Sequence, residues 1–102
     1  MNKIINGKKY STTTAEELAS YSNMYDFRNF DYFSETLYRK KSGEFFLYGE
    51  GGALTKYAKT VGQNEWSGGH EIIPLSIAEA KEWAAEHLDG DVYEDIFGPV
   101  EE

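Results

Sequence analysis

No cysteine occurs anywhere in the 102 residues. That removes a disulfide framework, a thiolate zinc finger and a cysteine nucleophile, fits a reducing cytoplasm, and leaves stability to packing. Long hydrophobic runs are missing too. The longest aromatic-aliphatic stretch, Phe45-Phe46-Leu47-Tyr48, falls far short of the roughly 20 residues of a membrane-spanning helix. The opening Met1-Asn2-Lys3-Ile4-Ile5-Asn6-Gly7-Lys8-Lys9 lacks the apolar core of a secretory signal. A soluble, cytoplasmic protein with no membrane partner is therefore expected.

Catalytic signals are equally sparse. There are two histidines and no Gly-x-Ser-x-Gly elbow, and carboxylates are so abundant that any acid pair is uninformative, so an enzyme is not expected. Gly49-Glu50-Gly51-Gly52 lacks the Lys-Ser/Thr ending of a phosphate loop, and Glu50 would repel phosphate. It reads as a tight turn or bulge in which glycine permits positive φ. His70 and His87 stand 17 positions apart, outside any local metal spacing, so independent roles are favoured over a shared zinc site and no cofactor is expected.

Basic residues are the remaining scarcity. Ten Lys and Arg face 18 Asp and Glu, a net charge of −8, which disfavours direct non-specific binding to nucleic acid. The imbalance is local. Residues 1–70 carry nine basic and eight acidic side chains, whereas residues 71–102 carry one basic and ten acidic. A basic partner is expected for that last third.

Aromatic residues, by contrast, are plentiful at 16%, enough to build the core of one small domain spanning residues 1–102. Asn6-Gly7 between short β-favouring runs predicts a hairpin over Lys3–Tyr10. Thr13-x-x-Glu16 and Thr14-x-x-Glu17 match capping boxes and predict a short helix with Ala15, Leu18, Ala19 and Tyr21 inward. Residues 24–33 read as a loop anchored by buried rings, with Tyr25, Phe27, Phe30, Tyr32 and Phe33 assigned to the core first and to a protein interface second.

A second hairpin is expected from Glu35–Lys40 and Phe45–Tyr48 around a Lys41-Ser42-Gly43-Glu44 turn. Gly49 to Gly52 then breaks the strand, and a third strand follows over Leu54–Val61. Gly62 to Gly69 has loop composition, and Glu71-Ile72-Ile73 gives a short edge strand stopped by Pro74. Ser76-x-x-Glu79 caps a helix with Ile77, Ala80, Trp83, Ala84, His87 and Leu88 at helical spacing. A final short helix carries Tyr93, Ile96 and Phe97 and stops at Gly98-Pro99. The fold class is α+β, a small antiparallel sheet with helices packed on one side.

If Ile77, Ala80, Ala84 and Leu88 face inward, Glu79, Glu82 and Glu86 share an exposed stripe that Asp89, Asp91, Glu94 and Asp95 extend. Such a row can imitate DNA phosphates before a Lys- and Arg-lined cleft, or it can be an ordinary solvated helix face.

Several segments resemble a recurrent family of small proteins encoded on phages and conjugative elements of Gram-positive bacteria. They are Ile4–Tyr10, Glu35-Thr36-Leu37-Tyr38-Arg39-Lys40, Phe46–Gly52, Ile72-Ile73-Pro74-Leu75, and Glu79-Ala80-x-x-Trp83-Ala84-x-x-His87 through Phe97-Gly98. Small acidic proteins of that setting resemble type II anti-CRISPR proteins, which occupy the nucleic-acid channel of the RNA-guided nuclease or lock its domains. The resemblance implies a DNA-mimicking nuclease inhibitor acting by protein-protein binding. The alternative is a non-inhibitory accessory or structural protein of a mobile element. A salt-sensitive interface distinguishes the first, an aromatic-dependent one the second.

Overall fold

The computed structural model describes residues 1–23, 29–62 and 65–102. Strands β1 (Asn2–Ile5) and β2 (Lys8–Ser11) pair antiparallel. Asn6 (φ 51°) and Gly7 (φ 78°) fill the turn between them. Both angles are positive, as the two-residue hairpin turn matching strand twist requires.

The expected helix after Thr13 is instead a strand. Residues 12–14 form a turn, with the Ser11 Oγ accepting from the Thr13 amide at 3.2 Å. Strand β3 (Glu16–Ser22) then pairs antiparallel with β4 (Phe33–Arg39). Both capping-box glutamates lie in the strand, and Glu16 bonds Arg39 at 2.9 Å across the ladder. Pairing with a partner strand has overridden a local helix signal, through a register shift between Glu17 and Ala19 that is a bulge on the sheet's edge.

Strand β4 turns through Gly43 (φ 94°) into β5 (Phe45–Gly51), the hairpin expected from the sequence. Here β5 runs on past Tyr48, through Gly49 to Gly51 of the stretch expected to break it, because its far end is paired on both sides. None of Gly49, Gly51 and Gly52 has positive φ. They are needed for close approach: a Cβ on Gly49 would fall inside the Tyr57 ring, and one on Gly52 would come within 2.5 Å of the Phe30 carbonyl oxygen.

The third strand is shorter than Leu54–Val61 and belongs to a separate ribbon, in which β6 (Lys59–Gly62) pairs with β7 (Glu65–Ser67). The segment expected to be loop thus holds part of a hairpin, while Gln63 and Asn64 lie outside the described residues. Strand β8 (Gly69–Leu75) closes the main sheet, in the order β3-β4-β5-β8, and continues through Pro74. On an edge strand the missing proline N–H need not interrupt a ladder.

Helix α1 (Ile77–His87) follows at once and α2 (Gly90–Phe97) after it. Ser76 and Glu79 form the full capping box, and Gly98 ends α2 at φ 95°. Ala80, Trp83 and Ala84 of α1 pack on Leu37, Phe45 and Leu47 of the sheet, joined by Ile96 and Phe97 from α2. The opposite face of the sheet carries Phe46 and Ile72 under Tyr10 of the first hairpin. Helices therefore cover one face only, as an α+β chain of this pattern requires. Ile77, assigned inward, is 60% exposed. It lies in the first turn, two residues beyond β8, where the sheet has ended. No helix among the described residues is long and apolar enough to cross a membrane.

Candidate functional site

All seven carboxylates singled out from the sequence, Glu79, Glu82, Glu86, Asp89, Asp91, Glu94 and Asp95, are exposed on α1, α2 and the cap between them. The structure divides them by what they touch. Glu79 accepts from the Ser76 amide at 2.8 Å, which holds its carboxyl below the ordinary carboxylate value. Asp89 caps α2, accepting from the Asp91 amide at 3.2 Å, and Glu94 accepts from the Val100 amide at 2.8 Å. Those three stabilise their own backbone.

Glu82, Glu86, Asp91 and Asp95 have no such partner among the described residues. The ion pairs there are Lys8 and Lys40 with Glu44, Arg39 with Glu16, and Lys56 with Glu35, none of them on either helix. Lys8, Lys9, Lys40 and Lys41 instead gather around a separate cleft beneath the first hairpin. The acidic field of α1 and α2 is therefore not neutralised from within.

A buried polar node lies under α1 that sequence reasoning did not assign. Glu35 is 1% exposed, on the helix-covered face of β4. One carboxylate oxygen accepts from the Trp83 indole Nε1 at 2.9 Å. The other accepts from the Tyr57 hydroxyl and lies 2.6 Å from the Lys56 ammonium. Burial alone would push this carboxyl up, but donation from Lys56, Tyr57 and Trp83 outweighs it and holds the group below its ordinary range. Tyr57 is pushed the other way, first by burial and then by the carboxylate it faces. With every partner supplied by the chain, the node is structural. Its sequence signal is a charge at an inward position, two residues before Leu37 on the same strand face.

The histidines are not brought together. His87 lies against Tyr21 and Trp83 on the helix side, whereas His70 stacks on Tyr48 toward the hairpin side. Among the described residues no three His, Asp or Glu side chains gather as metal ligands.

Of the aromatic cluster, Tyr25 and Phe27 lie outside the described residues. Phe30, expected to anchor the core, is 67% exposed. Its loop is held by backbone bonds instead, Leu54 N–H to the Phe30 carbonyl at 2.9 Å and Gly52 N–H to the Tyr32 carbonyl at 2.8 Å. Trp66 on β7 is 58% exposed and Leu54 is 68% exposed. Phe30 and Trp66 flank a cleft of about 630 Å³ at the glycine-rich end of β5 and β8. Exposed large rings at a concave surface make this cleft a candidate site.

No family model, no curated protein and no solved structure matches the chain.

Proposed function

We propose that this chain is a non-enzymatic inhibitor that binds a basic nucleic-acid-handling protein. The partner suggested by the sequence resemblance is a type II RNA-guided nuclease in the bacterial host's cytoplasm. The observation that carries the reading is the set Glu82, Glu86, Asp91 and Asp95, exposed on consecutive helices and unpaired among the described residues. Fixed carboxylates on a folded surface compete for Lys and Arg groups that otherwise hold phosphates, and the same groups steer association. Neither step needs a cofactor.

The test is target-DNA cleavage by guide-loaded nuclease with the protein titrated in, at about 50 and 200 mM salt. Inhibition that weakens with salt, and is lost on reversing Glu82, Glu86, Asp91 and Asp95 to lysine, supports the reading. Inhibition untouched by those reversals, or no complex at either salt, rejects it. Exposure of Phe30, Leu54 and Trp66 favours a second reading, an accessory protein of a mobile element that docks through aromatic contacts. Salt-insensitive binding abolished by Trp66→Ala would identify that case.

A further inference from the structure

We infer that the cleft between Phe30 and Trp66 is a receptor for an arginine side chain, with the guanidinium stacked on an aromatic ring and paired to the Glu50 carboxylate. The inference rests on the preceding reading only in taking the partner to be a basic protein.

The walls supply two kinds of group. Phe30, Tyr32 and Trp66 line the cleft, and none of the three rings stacks on another ring of the cleft among the described residues. Aromatic faces attract cations, and the flat, weakly hydrated guanidinium stacks on them better than an ammonium does. Among the described residues Glu50 is the one fully charged side chain in the lining, with no lysine or arginine in the lining beside it. Its Oε2 accepts from the Tyr48 hydroxyl at a loose 3.5 Å. Its other oxygen accepts nothing among the described residues. His70, directly across the ladder from Glu50, stacks on Tyr48 and so flanks the same carboxylate.

Four glycines, Gly51, Gly52, Gly68 and Gly69, also line the cleft, and none of them has room for an added Cβ. A Cβ on Gly68 would come within 2.7 Å of the Gly51 carbonyl oxygen, and Gly52 is closed off by Phe30. Two backbone hydrogen bonds tie the Phe30 loop to the Gly52 turn, so the backbone of this wall is set by the fold.

The probe is a blocked Gly-Arg-Gly peptide, with its citrulline and lysine counterparts, followed by amide and indole nitrogen-proton NMR. The arginine peptide should shift the Trp66 indole and the Gly51, Gly52 and Gly68 amides saturably, leaving the buried Trp83 indole in place. Citrulline, the neutral isostere, should bind at least roughly tenfold more weakly, as should the arginine peptide to Glu50→Gln or Trp66→Ala. An unchanged Trp83 signal in each variant shows that the fold persists. Equal response to citrulline or lysine, or shifts confined to α1 and α2, overturns the inference. So does saturation by a neutral oligosaccharide in place of the peptide. Reversing Glu82, Glu86, Asp91 and Asp95 should leave this response intact, so failure of the helix reading and failure of the cleft are told apart.

Discussion

The indole of Trp83 on α1 donates to the Glu35 carboxylate on β4 at 2.9 Å, across 48 residues of sequence and within the buried layer between helix and sheet. Glu35→Ala leaves both this indole N–H and the Tyr57 hydroxyl without an acceptor in that layer. A loss of about 3 kcal/mol or more is expected in urea unfolding. Trp83→Phe removes one donor and should lose roughly 1–3 kcal/mol. The double variant should lose less than the two effects added, because the groups act on each other.

The same carboxylate sets an acid limit. Its folded-state proton affinity lies below the ordinary value of 4.5. Its contribution is therefore present above that value and lost as pH falls through the lower folded-state value. Thermal midpoints should drop below about pH 4.5, with a shallower fall in Glu35→Gln. Tyr57 acts in the opposite direction. Its folded-state value is raised above 10.0, so stability is held below that pH and declines above it, and Tyr57→Phe should flatten the alkaline decline.

Gly49 is directly opposite Glu35 in the ladder, with the Tyr57 ring laid over it. Gly49→Ala should lose roughly 1–3 kcal/mol by overpacking. In a Tyr57→Ala background the same change should be close to neutral. Equal losses in both backgrounds would show that the ring is not what closes the position.

Glu79 and Glu82 separate stability from charge. Ser76→Ala or Glu79→Lys breaks the capping box and should lose about 1 kcal/mol, near 4–8 °C in midpoint for a chain of this size. Glu82→Lys and Glu86→Lys should leave the midpoint within about 2 °C, since neither side chain has an internal partner.

Both ends of the fold were legible because their signals are local. Asn6-Gly7 dictates a turn through its own backbone freedom, and Ser76 with Glu79 satisfies amides within one helical turn. Thr13-x-x-Glu16 carries the same letters as a capping box and folds as a turn leading into a strand, because Ala19 and Tyr21 find Leu37 and Glu35 on β4. That outcome depends on residues 16 or so positions away, which no capping rule includes. The acidic face was readable from helical spacing, apart from Ile77, whose exposure depends on where the sheet stops. The Glu35 node and the Phe30–Trp66 cleft were not readable. Each joins residues from distant segments, and a single charge or ring in a strand or loop carries no mark of its eventual neighbour.

The three donors to Glu35 come from segments far apart in the sequence. Lys56 and Tyr57 follow the carboxylate by about one strand pair, but the indole that shares it is added 48 residues after it. Without α1, the sheet would carry a carboxylate with one oxygen turned to water, on the face that Leu37, Phe45 and Leu47 must make dry. In the folded chain α1 closes that face, and its Trp83 indole completes the shell of donors around the carboxylate.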